Sequence, residues 1–417
     1  MNAPNRGLTL ALLLAAVLAH ADDALSDDAA LALADATADT PSNARDWRFL
    51  MELAGAGAQY RFNDQPTEAR LSLDGRIDHR FEADWRVVFA DRLDLRSAGG
   101  HQHSVNTLKE LYLGWQPRDD LLLDAGRINT RYGVGFGYNP TDFFKVGALR
   151  SVTSVNPASL RENRLGSVML RGQTLWDSGA LTALYSPKLG DAPSDDAFNP
   201  DWGASNPQDR WLIAASQSFG DSNLNPQLLL YHDTDTTQLG LNWSVLLGDA
   251  TVVYVEWAGG RQQSVAGRAF NVDDAAFRNA VSTGLTWTAA TKLSLTLEYQ
   301  YDGSALDDAG WQRLQGGPVE PYLRYRQLAA QRQNLTTRHA AMLYAQWQDA
   351  LIQRVDLSGF VRQDLIDDSR LSWLEVRWRG DETDVALQWQ YDAGNSRSNY
   401  GGLPQRQIWQ ALLSHYF

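Results

Sequence analysis

The sequence predicts an all-β protein: a transmembrane antiparallel β-barrel of about 18 strands (16–18), within the size range of outer-membrane barrels. Three observations predict it. Apolar and polar residues alternate with period two through most of the chain after Trp47. Tight and long connections alternate between those segments. An export signal comes first, and no later stretch supplies the roughly 20 apolar residues that a spanning helix needs.

The signal occupies residues 1–21. Arg6 provides the positive start, Leu8–Leu18 (LTLALLLAAVL) the apolar stretch, and Ala19-His20-Ala21 an A-x-A cleavage site. Residues 22–46, rich in Ala and Asp, are expected to form a periplasmic lead. The barrel is assigned to 47–417.

Within it, Leu71, Leu73 and Ile77 share one face of a strand, and Arg70, Ser72, Asp74, Arg76 and Asp78 the other. Leu293, Leu295, Leu297, Tyr299 and Tyr301 alternate likewise with Lys292, Ser294, Thr296, Glu298 and Gln300. Val385, Leu387, Trp389 and Tyr391 repeat the pattern. Such alternation marks strands with one apolar and one polar face. The spans are 48–60, 67–80, 83–96, 105–116, 120–130, 164–175, 179–186, 209–219, 225–233, 236–246, 250–259, 280–289, 292–302, 338–348, 352–363, 369–379, 382–391 and 406–417.

Tight links fall near 82, 118, 177, 248, 290, 349 and 381, and very long ones at 131–163, 187–208, 260–279, 303–337 and 392–405. In an outer-membrane barrel the short turns are periplasmic and the long loops extracellular. The last segment, IWQALLSHYF, places Trp409, Ala411, Leu413, His415 and Phe417 on one face. It resembles the C-terminal signal read by the barrel assembly machinery, with His415 departing from the usual apolar residue.

Composition narrows the function. The formal charge of −13 argues against a nucleic-acid partner, which requires a basic footprint. The absence of cysteine removes thiolate metal sites and disulfides. The 15 Trp and 15 Tyr suit a large core or a membrane-interface belt. His79, His101, His103, His232, His339 and His415 lie in no G-x-S-x-G context and beside no obvious Ser nucleophile, so an enzyme is not expected. His101 and His103 could pair as metal ligands, but solvent-exposed loop histidines are the preferred reading. The acidic pairs Asp195-Asp196, Asp273-Asp274, Asp307-Asp308 and Asp367-Asp368 could bind divalent cations or meet lipopolysaccharide-bound cations, but solvated loop charge is the preferred reading. No cofactor or metal is expected.

The polar faces point into the lumen, where arginines gather in one sector. Arg70, Arg76, Arg86, Arg92, Arg96, Arg354, Arg362, Arg377 and Arg379 are the pore-lining candidates, interspersed with Asp74, Asp94 and Glu375. They read either as a basic track for anions or as a network of ion pairs that stiffens the wall. The third outer loop contains RYGVGFGYNPTDFFK, Arg131 to Lys145. A phosphate cradle would need Lys-Ser/Thr after the glycines or a strand-to-helix setting, and neither is present. Two readings remain, a loop that folds inward and narrows the pore and an ordered surface cap, and the inward loop is the preferred one. Arg131, Tyr132, Phe136, Tyr138, Asp142, Phe143, Phe144 and Lys145 are the constriction candidates.

Over some forty residues the run KELYLGWQPRDDLLLDAGRINTRYGVGFGYNPTDFFK resembles porin-like barrels, the alginate-export family and related uncharacterised barrels among them. Glu110, Tyr112, Trp115, Asp124, Gly126, Arg127, Gly133, Gly137, Asn139, Pro140 and Asp142 carry that resemblance. It implies passage of an anionic polysaccharide through an 18-stranded barrel with a basic lumen. The reading that results is a passive channel or exporter for an anionic solute or polymer in a Gram-negative outer membrane, in contact with lipid and lipopolysaccharide. Two alternatives stand beside it: a structural or assembly barrel holding a periplasmic protein partner, and an outer-membrane hydrolase.

Overall fold

The structure, a computed structural model, describes residues 45–61, 67–190, 199–219 and 225–417. The export signal, most of the Ala/Asp lead and the Asp195-Asp196 pair lie outside the described residues.

Alternation of apolar and polar side chains produces eighteen strands. They are β1 (Trp47–Tyr60), β2 (Glu68–Arg80), β3 (Trp85–Ala98), β4 (His101–Arg118), β5 (Leu121–Ile128), β6 (Ser167–Trp176), β7 (Gly179–Ser186), β8 (Arg210–Gln217) and β9 (Gln227–Asp233). They continue as β10 (Thr237–Leu247), β11 (Thr251–Gln262), β12 (Ala276–Thr288), β13 (Leu293–Asp302), β14 (His339–Trp347), β15 (Val355–Asp364), β16 (Arg370–Arg379), β17 (Thr383–Ala393) and β18 (Gln405–Tyr416). Each pairs antiparallel with the next, and β18 returns to β1 from Leu50↔Tyr416 to Tyr60↔Gln405. Closure leaves no edge with unpaired backbone groups.

The two faces are inverted relative to a soluble protein. Leu53, Ile77, Phe89, Leu374, Trp378, Leu387 and Trp409 are exposed on the outside. Arg70, Asp74, Arg92, Asp94, Glu256, Glu298, Gln388 and Ser414 are buried on the inside. His415 faces outward with Trp409 and Leu413, and its ring nitrogen meets Thr383 Oγ1 at 2.8 Å, which satisfies a polar atom at an otherwise apolar place.

All predicted strands are present, within a few residues. The largest extension is β4, which begins at His101 rather than 105 because the β3–β4 hairpin runs on to a tight turn at Gly99 and Gly100, φ 58° and 81°. His101 and His103 are therefore strand residues, exposed, and no metal-holding group of three His, Cys, Asp or Glu occurs among the described residues.

Long connections gather at one end of the barrel and carry helices that the strand pattern does not announce. Loop 3 (129–166) contains α1 (Pro157–Glu162), and loop 6 (263–275) contains α2 (Val265–Phe270). Loop 7 (303–338) contains α3 (Asp308–Gly316) and α4 (Val319–Gln331). Asp307 caps α3 by accepting from Gly310 N–H at 2.9 Å. Trp311, Tyr322, Tyr325, Ala329 and Val265 form a small core between these helices. Loop 9 (394–404) is clamped beneath them: Arg326 donates to Asn399 O at 2.7 Å, and Arg397 to Gln315 O and Gly317 O, both at 2.6 Å.

Candidate functional site: a loop across the bore

Loop 3 leaves the wall after β5 and crosses the bore. Its glycine run docks on the far wall through two carboxylates. Val134 and Gly135 donate their backbone N–H groups to Glu256 at 3.0 and 2.8 Å, and Thr141 donates N–H and Oγ1–H to the same side chain at 2.7 and 2.9 Å. Phe136, Gly137 and Tyr138 donate theirs to Glu298. Tyr254 donates its hydroxyl to Glu298 at 2.6 Å. Glu256 on β11 and Glu298 on β13 are both fully buried. Two buried carboxylates without partners would be costly, and a row of backbone donors meets that cost.

The glycines permit this approach. Gly133 has φ 104°, and a Cβ there would lie 2.6 Å from the Glu256 oxygens. A Cβ on Gly135 would lie 2.7 Å from Ser282 Oγ. The aromatics then fill the flanks. Phe136 packs on Tyr344 with centroids 4.3 Å apart, and Phe143 stacks on Tyr231 at 4.5 Å. Phe144 meets Tyr231 edge-on and lies under the Arg210 guanidinium, 4.6 Å away. Tyr132 packs at the edge of the same cluster. Tyr138 donates its hydroxyl to Asp302 at 3.0 Å; burial first, and then that acid, push its phenol well above the ordinary range.

The returning half of loop 3 reaches the opposite wall. Arg70 donates to Thr153 O at 3.5 Å, and Arg96 donates to Ser151 Oγ at 2.8 Å and Val152 O at 3.0 Å. Helix α1 places Glu162 against Arg48 of β1 at 3.1 Å. The loop is thus pinned on both sides of the barrel.

The candidate charges of the loop divide. Asp142 pairs with Arg164 at 2.6 Å with both side chains buried, and Arg164 also donates to Asn129 Oδ1 and Thr130 O. Lys145 donates to Asn139 O at 2.6 Å and lies 4.7 Å from the Tyr138 ring centroid. Both hold the loop's own shape. Arg131 is exposed and has no hydrogen bond or ion pair among the described residues.

Most of the wall arginines face the bore as their alternation predicts, and they are matched by acids. Arg92 meets Asp94 at 3.0 Å, Glu52 at 3.2 Å and Asp74 at 3.7 Å. Arg70 meets Glu52 at 2.6 Å, and Lys109, which the sequence reading did not single out, meets Asp74 at 2.6 Å. Arg76 pairs with Glu110 and Asp78, and Arg86 with Asp78. Arg96 reaches Glu68 at 3.7 Å. Arg377 meets Glu375 at 3.0 Å, and Arg379 meets Asp356 at 2.7 Å. Arg70, Arg92, Asp74 and Asp94 are buried rather than lining open space. Arg354 is not on the wall: it belongs to the turn before β15, has φ 71° and pairs with Asp381 at 2.8 Å. Arg362 on β15 is the exception, with no hydrogen bond or ion pair among the described residues and a buried Nε that lacks an acceptor there.

Sequence reasoning missed Glu256 and Glu298. Each is the polar member of an alternating strand, like many other residues, and only the loop that reaches them sets them apart.

No family model matches the sequence, and no curated protein matches it. Solved structures do. OccK2 (OpdF) of Pseudomonas aeruginosa is 11% identical with a TM-score of 0.56, over 89% of this chain and 97% of that one. The fold is that of a porin. OccK2 in complex with glucuronate matches with 10% identity and a TM-score of 0.53, over 89% of this chain and 97% of that one. A BenF-like porin from Pseudomonas fluorescens Pf-5 matches with 10% identity and a TM-score of 0.55, over 89% and 98%. The resemblance to the alginate-export family is not supported by these structures, which come from another group of porin-like barrels.

Proposed function

We propose that this chain is a passive channel for small anionic solutes in the outer membrane of a Gram-negative bacterium. The observation that carries the reading is the closed barrel whose bore is crossed, at both walls, by loop 3. A purely structural barrel has no need of a loop held inside it by buried carboxylates. The apolar outer face suits lipid, and the polar inner face suits water.

Arginine in the bore favours carboxylates, which guanidinium grips with two parallel hydrogen bonds. That a structural neighbour has been solved with glucuronate fits a sugar-acid-sized solute. Polymer export is not part of this reading. Loop 3 interrupts the bore, and a continuous chain would require an unbroken path.

The test is conductance of the purified protein in planar bilayers. Stepwise openings with a reversal potential shifted toward the chloride equilibrium value are expected in a salt gradient. Silent membranes containing correctly folded protein would sink the channel reading.

A further inference from the structure

A group of like charges stands on the outer rim of the barrel. Where β16, β17, β18 and β1 reach the end that carries the long loops, three arginines surround one phenol. Arg406 lies over the Tyr391 ring, 5.8 Å from its centroid, and donates to its hydroxyl at 3.3 Å. Arg61, which follows β1, donates to Asp392 O, the carbonyl next to Tyr391, and to Leu403 O at 3.2 Å. Arg370 opens β16 two residues before Ser372, the register partner of Tyr391. The charges of all three act on the Tyr391 hydroxyl. None of the three forms an ion pair among the described residues, and Arg370 has no hydrogen bond there. Asp392, the acid of this stretch, is buried on the bore side and accepts from Gln390 at 2.9 Å.

Toward the middle of the wall the same outer face turns apolar. Tyr391 stacks on Trp389 with centroids 5.9 Å apart, and Trp389 lies 6.1 Å from Trp409. Beside Trp409 the outer surface is hollowed by small residues. Gly57 is the register partner of Trp409, and Gly55 that of Ala411 on one side and Ala69 on the other. A Cβ on Gly55 or Gly57 would meet nothing within 4 Å among the described residues, so a slot stands open there. Exposed Leu53 follows on the same face of β1.

We infer that this rim binds lipopolysaccharide, with Arg61, Arg370 and Arg406 on a lipid A phosphate and an acyl chain in the slot beside Trp409. The inference rests on the outer-membrane placement proposed above and not on the identity of the solute. The end with the long loops faces the exterior, which puts the three arginines at the level of the outer headgroups. Guanidinium grips phosphate with two parallel hydrogen bonds, and three like charges held together gain from one anion between them. The chain as a whole carries −13, so this local excess of cations runs against its composition. A free phosphate ion would satisfy the arginines and leave the slot empty. A phosphorylated glycolipid meets both.

Native mass spectrometry of the purified, full-length barrel in detergent micelles, titrated with deep-rough lipopolysaccharide, tests this. Wild type should carry one bound lipopolysaccharide. Removing the phosphates from the lipid should weaken that binding about tenfold. Arg370→Gln combined with Arg406→Gln should weaken it about tenfold as well. Arg61 stays in place because its bonds to loop 9 support the fold. Arg118→Gln, at the opposite rim, removes an exposed arginine paired with Asp120 at 3.1 Å and should change binding less than about twofold. Heat-modifiable gel migration verifies folding, and the dephosphorylated lipid tests the site without any variant. Unchanged binding in the double variant, an equal loss in Arg118→Gln, or equal binding of the dephosphorylated lipid overturns the inference. Binding of phosphatidylglycerol or inorganic phosphate as tight as that of lipopolysaccharide overturns it too. A conducting wild type that binds no lipopolysaccharide overturns the inference while the channel reading stands. A folded, silent wild type that binds it through these arginines overturns the channel reading and supports the site.

Discussion

At Glu256 and Glu298, backbone N–H groups of a loop take the place that water would hold around an exposed carboxylate. Consecutive N–H groups can converge in this way only where side chains do not intervene, which is the role of Gly133 and Gly135. Replacing Glu298 by Gln turns one acceptor oxygen into a donor that faces other donors. An unsatisfied buried polar group costs about 1–3 kcal/mol, so the tip of loop 3 should release from the wall. Glu298→Gln is therefore expected to raise open-channel conductance and current noise together. Conductance and noise identical to wild type would show that the loop is held by other means. Arg92, by contrast, sits among Glu52, Asp74 and Asp94, and its removal would leave three buried acids short of a cation.

Among the elements, the strands were legible in the sequence and the loop helices were not. Period-two alternation is strong over ten residues, whereas α3 and α4 offer short, mostly polar windows with their apolar residues packed on each other. Trp311 is fully buried in that packing and donates its ring N–H to Asp367 at 2.8 Å. Trp311→Ala should cost the loop 7 cap about 3–5 kcal/mol locally. Because no strand pairing passes through Trp311, the barrel should persist. Limited proteolysis should then cut within 303–338 while the remaining fragments keep heat-modifiable migration. Loss of that migration would mean that the cap supports the barrel itself. Loop 3 was legible in part: its glycines and aromatics announced an inward loop, and its contacts named the wall residues that receive it.

For the whole molecule the controlling feature is which face meets which medium. Leu387 and Gln388 are neighbours on β17, one exposed outside and the other buried inside. Leu387→Arg places a charge on the apolar belt, which costs about 2–4 kcal/mol near the middle of a bilayer. Gln388→Arg places the same charge in the polar bore, beside Glu375, to which Gln388 already donates. Folding into lipid vesicles should be impaired by the first substitution and tolerated by the second. Equal tolerance of both would argue that this face does not contact lipid.

The sequence by itself determined a barrel of 16–18 strands, the strand limits to within a few residues, the in–out alternation and the end of the barrel that carries long loops. These follow from local periodicity, which needs no knowledge of distant neighbours. Tertiary structure alone decided which charges are free. Arg92 and Arg362 look alike in sequence, each an arginine on the polar face of a strand. Closure of the sheet surrounds Arg92 with three acids from β1, β2 and β3 and leaves Arg362, on β15, with no ion pair among the described residues. Compensation of charge depends on partners far apart in the chain, so the pattern within one strand does not contain it.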